Sequence, residues 1–206
     1  MKERRFSRRD FIYLGLGGGL MVAGLRRAIS QQREAGQLFA PTPSNSLGPF
    51  YKRGAPRREV LTEAGAAGNL LLVAGRIINT DGKALSGATL EVFHADAEGE
   101  YDMQGYRYRG EIPVGVSGAY GFESIVPGAY GGRAQHLHYV VNAPGHRRLV
   151  TQLYFENDPK FAGSPDKNFN RDSLVQHREL IRPVKIVSKN NASYSSVVFD
   201  ICLEKA

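Results

Sequence analysis

Tyr101, Tyr130, His136 and His138 are of residue types that can share one metal ion, and they lie within a short stretch of the chain. In an extended strand successive side chains point to opposite faces, so the string HLHYVV puts both imidazoles on one side and turns Leu137 away. Neutral imidazole ligates several first-row metals. A phenol binds well only as phenolate, a hard anion that a trivalent cation stabilises by lowering its pKa. Two phenols beside an H-x-H pair therefore point to non-haem Fe(III). Each residue alone carries less: a tyrosine in a glycine-bearing loop is usually a packing residue, and an H-x-H pair also suits a copper or zinc site. The phenols argue against zinc, which prefers nitrogen, sulfur and carboxylate ligands.

These residues need a frame to hold them. LLLVAGRIIN (70–79) reads as an apolar strand, TDGK as a turn, and TLEVFHA (89–95) as an alternating strand. Further strands are predicted around YGFESI, HLHYVV, LVTQLYF, RPVKIV and SSVVFDICL, with turns at Gly99, Ser117-Gly118, Pro127-Gly128 and Pro144-Gly145. The pattern predicts an all-β fold, a two-sheet β-sandwich with long irregular loops and the metal residues on loops and strand ends at one rim. Residues 156–172 have no usable periodicity and read as a long loop of the lid or binding kind, followed by a short helical option over Asp172–Leu180.

With 206 residues the chain is long enough for one domain with a full core. The organisation predicted is a leader over 1–30, an irregular proline-bearing arm over 31–68, and a catalytic β-sandwich over 69–206. The first 34 residues hold 8 Lys or Arg against 3 Asp or Glu, which is +5 of the total +7, so the body is close to neutral. No basic stripe with interleaved aromatics appears in it, and a nucleic-acid partner is set aside. The leader's paired Arg8 and Arg9, followed by Asp10, Phe11 and Ile12 and a glycine-rich apolar run, resembles a twin-arginine export signal. The expectation is export from a bacterial cytoplasm by the twin-arginine machinery to a periplasmic or extracellular location; a membrane tether through the leader stays open, as does a homo-oligomer. Cys202, the lone cysteine, is expected as a small buried side chain. His94, His146 and His177, and Tyr106, Tyr108, Tyr120, Tyr139 and Tyr154, are expected in structural or rim roles.

The strings GPFYKRGAP, LEVFHADAEGEY, YGFESIVPGAY, RAQHLHYVVNAPGH and TQLYF, in this order from about Ser44 to Phe155, resemble the intradiol ring-cleavage dioxygenases, the family of catechol 1,2-dioxygenase and protocatechuate 3,4-dioxygenase. The resemblance implies iron ligands at Tyr101, Tyr130, His136 and His138, and an active-site arginine at Arg133 that stabilises negative charge on the substrate ring. It also implies a glutamine beside the substrate at Gln152, which orients substrate or O2, and a proton-accepting role for Tyr130. The implied reaction takes a small aromatic ortho-diphenol and O2 and cleaves the ring between the two hydroxyl-bearing carbons, giving a cis,cis-muconate-type product. The chain departs from the family pattern in Ala134-Gln135 before the first histidine, in Val114-Gly115 before a turn, and in Phe93 and Gly132 where tryptophans are common. A competing reading is an exported, non-catalytic β-sandwich binding module, since sandwiches host many unrelated functions.

Overall fold

The computed structural model describes residues 38–63, 65–189 and 192–206, so the leader with Arg8 and Arg9, and residues 31–37 of the arm, lie outside the described residues. Ten strands follow one another: β1 (Leu70–Asn79), β2 (Thr89–Phe93), β3 (Arg109–Ile112), β4 (Ala119–Ile125), β5 (His136–Asn142), β6 (Leu149–Phe155), β7 (Ile181–Arg182), β8 (Lys185–Lys189), β9 (Ala192–Val198) and β10 (Ile201–Leu203). They form two five-stranded sheets. In one, β4 lies antiparallel to β1, while β9 and β10 run parallel to successive halves of β1 and β8 pairs with β9. The other has the order β3-β2-β5-β6-β7. The all-β sandwich expected from the strand pattern is the fold observed.

Alternation decides which face of each strand enters the core. Leu71, Val73 and Ile77 of β1, Leu90 and Val92 of β2, Leu137, Tyr139 and Val141 of β5 and Leu153 of β6 are all essentially inaccessible and belong to one apolar cluster. Tyr139 bridges the sheets, its ring 5.2 Å from Phe199 and 6.4 Å from Phe122. The opposite face of β2, β5 and β6 therefore carries Phe93, His136, His138, Gln152 and Tyr154. Register puts them in two rows, Phe93–His138–Gln152 and His136–Tyr154. His136 and His138 thus sit on the outer face of the second sheet, covered by the arm and the loops.

Two expected strands are split. RPVKIV is divided at Pro183, which has no N–H to give to a ladder. Ile181 pairs with Tyr154 in one sheet and Lys185 with Ser196 in the other, so the chain changes sheets there. SSVVFDICL is divided at Phe199-Asp200, where the Asp200 carboxylate, not a strand carbonyl, accepts the Arg76 N–H at 3.0 Å. Strand β3 was not expected, being short and built from RGEI. Nor does Asp172–Leu180 form a helix beyond a single 3-10 turn at Arg178–Leu180. The regular structure falls earlier, in a 3-10 turn at Pro159–Phe161, a short helix α1 (Pro165–Asn168) with proline in its first turn, and a 3-10 turn at Phe169–Arg171. Phe161, Val175 and Leu180 of this segment are buried, so it is packed down on the sheet rather than standing free.

Candidate metal centre

The imidazoles come from β5. His136 Nδ1 donates to the Ala134 carbonyl at 2.7 Å, which leaves Nε2 as the bare nitrogen, and His138 is hydrogen-bonded to the Ser46 backbone. The two Nε2 atoms lie 3.2 Å apart, and Tyr101 Oη is 3.1 Å from His138 Nε2 and 3.5 Å from His136 Nε2. Ligands about 2.1 Å from a shared ion at angles near 90–110° are separated by about 3.0–3.4 Å, so these three atoms have the spacing of a coordination shell. Tyr130 lies against them, its ring 5.4 Å from that of Tyr101 and 5.8 Å from that of His136. Among the described residues no group of three or more His, Cys, Asp and Glu gathers to hold a metal, so the donor set is one of phenols and imidazoles.

The phenols come from two loops that touch through glycine. Gly99, two residues before Tyr101, has φ +91°, and a Cβ there would lie 2.6 Å from the Ala129 carbonyl; one on Gly128, two residues before Tyr130, would strike the Ala97 carbonyl. The Gly128 N–H donates to Asp96 O at 2.7 Å. Side chains at either position would push the loops, and hence the two rings, apart. The arm covers the result. Phe50 stacks on Tyr101 at 4.2 Å, and Gly48 lets the backbone approach the His138 ring. Phe93, in a place where the family often has tryptophan, stacks on His138 at 4.4 Å and 4°.

Electrostatics follow from burial. Desolvation holds His136 down at about 4, assisted by the Arg133 charge, and holds His138 well below the usual imidazole range, with His136 and Arg133 adding to it. Both rings are therefore neutral and ready to ligate near neutral pH. Burial and the neighbouring Tyr130 phenol push Tyr101 up, against the opposing charges of Arg133 and Arg109, so without a cation this phenol keeps its proton. A trivalent ion reverses that preference. Tyr101 Oη and the two imidazole Nε2 atoms have a spacing that fits Fe(III), and the residue types fit it in chemistry: two neutral nitrogens, with phenols whose ionised oxygens a trivalent cation stabilises.

Arg133 lies beside this cluster with 13% of its side chain exposed; its Nε donates to both oxygens of Asp172 at 2.9 and 3.0 Å, and its Nη2 to Gln152 Oε1 at 3.0 Å and Tyr154 Oη at 2.8 Å. Gln152 is fully buried in the row with His138. Its amide nitrogen donates to the Ser46 carbonyl at 2.6 Å and lies 3.3 Å from His138 Nδ1, and its oxygen also accepts from Tyr154 Oη at 2.5 Å. Its polar atoms are thus engaged with protein groups. Gln135 lends its backbone N–H to Asp158 at 2.7 Å. Asp158 and Asp172 carry no signal in the sequence, and Tyr154, expected in a structural or rim role, instead joins Arg133 and Gln152. A buried carboxylate in an aperiodic loop leaves no local pattern, whereas Tyr154, two residues beyond Gln152, is legible from strand parity.

His94 has a structural role: its ring nitrogens meet Ala95 O at 2.7 Å and Ser124 Oγ at 2.6 Å, and burial holds it at about 4. Farther along the same sheet face a cavity of about 460 Å³ is lined by Tyr51, Arg53, Glu91, Glu111, Asn142 and Arg148, and by none of the residues above.

A family model described as Dioxygenase matches residues 47–205. Catechol 1,2-dioxygenase 2 of Acinetobacter lwoffii is 32% identical over 185 residues, covering 71% of this chain and 67% of the relative. Hydroxyquinol 1,2-dioxygenase of Nocardioides simplex is 33% identical over 193 residues, covering 80% of this chain and 65% of the relative. The chain thus spans about two thirds of the length of these curated relatives. Among solved structures, the dioxygenase domain of a dioxygenase carbohydrate-binding protein fusion from Streptomyces sp. SirexAA-E is similar with 32% identity and a TM-score of 0.68, over 81% of this chain and 100% of that domain.

Proposed function

The chain belongs to the intradiol ring-cleavage dioxygenase family, and from that premise we propose that it cleaves a catechol-type ortho-diphenol between its two hydroxyl-bearing carbons, using O2 and a non-haem Fe(III) held by Tyr101, Tyr130, His136 and His138. The observation that carries this reading is the meeting of Tyr101 Oη, His136 Nε2 and His138 Nε2 within 3.1–3.5 Å, with Tyr130 against them. When bound, Fe(III) supplies the Lewis acidity that ionises the diphenol and opens its ring to O2.

The protein's own groups do the rest. His136 and His138, fixed by the β5 register and by hydrogen bonds on their far nitrogens, hold their places through the reaction. Tyr130, half-buried on its loop, would be held as the phenolate by a bound trivalent cation and, in that form, would take a proton from a substrate hydroxyl at Oη to become the neutral phenol. Arg133 presents a fixed positive charge to the ring as negative charge builds on it. Gln152 serves by holding His138 and Tyr154 in their row, and Phe50, stacked on Tyr101, keeps water from that side of the centre. Both atoms of one O2 enter the product, a cis,cis-muconate-type dicarboxylic acid, and no reductant is consumed.

The test is oxygen uptake by the iron-loaded protein over a panel of ortho-diphenols, including catechol, hydroxyquinol and protocatechuate. The expected result is one O2 consumed per diphenol and a product heavier than the substrate by the mass of O2. Product formation without added O2, or no product from any diphenol, overturns the proposal. Export through the twin-arginine-like leader belongs to the same proposal: replacing Arg8 and Arg9 by lysine is expected to leave the protein in the cytoplasm, and unchanged secretion would refute that part.

A further inference from the structure

We infer that Asp172 is a positioning residue for Arg133, so that the irregular segment after β6 sets the direction of the active-site charge. This inference rests on the reading that the centre cleaves diphenols. Arg133 follows Gly131 and Gly132, both exposed and both with positive φ, and a Cβ at either would meet nothing within 4 Å. Neither residue can pack against the arginine stem to orient it. Orientation comes instead from partners distant in sequence. Asp172 is one of the most deeply buried carboxylates, with 1% of its side chain exposed, and its carboxylate bonds to Arg133 and Ala134 of the ligand-bearing segment and to the nearby Leu174. Its Oδ1 accepts from Arg133 Nε and from the Leu174 N–H at 3.1 Å, and its Oδ2 accepts from Arg133 Nε and from the Ala134 N–H at 2.8 Å.

The planar guanidinium is consequently gripped at two nitrogens, by Asp172 at Nε and by Gln152 and Tyr154 at Nη2. Gln152 in turn lies against His138. The result is a chain of contacts from the segment after β6 to a metal ligand, with Arg133 at its centre. Asp158 offers an internal comparison. It is equally buried and takes the next backbone N–H, that of Gln135, yet it makes no bond to Arg133.

The test begins with the metal-free wild-type protein labelled with ¹⁵N, in which the Arg133 Nε–H is expected to exchange slowly with water. Asp172→Asn is expected to speed that exchange at least about tenfold, and Asp158→Asn to leave it unchanged. In iron-loaded protein Asp172→Asn is expected to keep its iron and its visible absorption band while kcat falls by about tenfold. Arg133→Ala is expected to lower kcat by about a hundredfold, and adding Asp172→Asn to it should cost nothing more. An equal loss from Asp172→Asn in both backgrounds, or a change in exchange from Asp158→Asn as large as that from Asp172→Asn, overturns the positioning role and leaves a structural one. If Asp172→Asn does not fold, the wild-type exchange rate decides alone: solvent-like exchange overturns the inference and slow exchange supports it. A wild type inert to every diphenol overturns the proposed function, whereas an active wild type with a freely exchanging Arg133 Nε–H overturns the positioning role only.

Discussion

The two halves of the proposed metal centre are built on different principles. His136 and His138 stand on one strand, where the two-residue period puts them on the same face and the β2 and β6 registers fix their neighbours Phe93, Gln152 and Tyr154. Tyr101 and Tyr130 stand on separate loops whose relative position is set by a backbone contact at Gly99 and Gly128. In the proposed reaction the strand places the two imidazoles that hold their positions, and one of the loops places Tyr130, which takes a proton. The difference also has a thermodynamic side: burial keeps His136 of the strand half neutral, ready for an ion, and keeps the proton on Tyr101 of the loop half, which a trivalent cation would have to displace.

The largest effect is expected from breaking the strand half. His138→Ala should reduce iron to background in metal analysis and take turnover with it, whereas Tyr130→Phe on the loop half should retain part of the iron with a shifted visible band. Equal iron loss from both would erase the distinction. Next comes acid. In the metal-free fold His94 and His136 are held near 4, while the unfolded chain titrates near 6.5. Between those values the unfolded state binds protons that the fold does not, so the stability is fully present above pH 6.5 and is lost as pH falls towards 4. Each ring accounts for on the order of 3 kcal/mol. Urea midpoints across that window should fall steadily, and a flat profile would contradict the buried, neutral state of the rings.

A smaller loss is expected at the loop contact. Gly128→Ala drives a methyl into the backbone of 97–99 and should cost about 1–3 kcal/mol in urea unfolding, with a displaced visible band because the phenols part. Smallest is Phe93→Leu, which removes the ring stacked on His138. A loss of about 0.5–1.5 kcal/mol with iron retained would mark that contact as support for the strand half.

How much of this could be read beforehand differs between the halves in the same way. The H-x-H pair on one face and the sandwich follow from period-two alternation, which is local, whereas the choice of Tyr101 and Tyr130 among ten tyrosines rests on the family strings around them. The grip on Arg133 follows from neither. Asp158 and Asp172 act on backbone N–H groups 23 and 38 residues away, and a loop without periodicity carries no sign of which of its carboxylates will be buried. Strand β3 escaped for a related reason: RGEI carries two charges, and Arg109 is buried only because its guanidinium donates to the carbonyls of Asp102 and Phe50. The splitting of RPVKIV follows from the missing amide of Pro183, which could have been anticipated. The break at Phe199-Asp200 depends on a side chain standing in for a carbonyl, which could not.

The glycine-to-glycine contact has a consequence for anyone wishing to redesign the preference of this protein for its aromatic partner. A transplanted tyrosine loop with any side chain at the place of Gly99 or Gly128 would meet the backbone of the resident loop, which leaves no room for it. The two loops form a single exchangeable cassette, and variation worth sampling lies in libraries that replace both together.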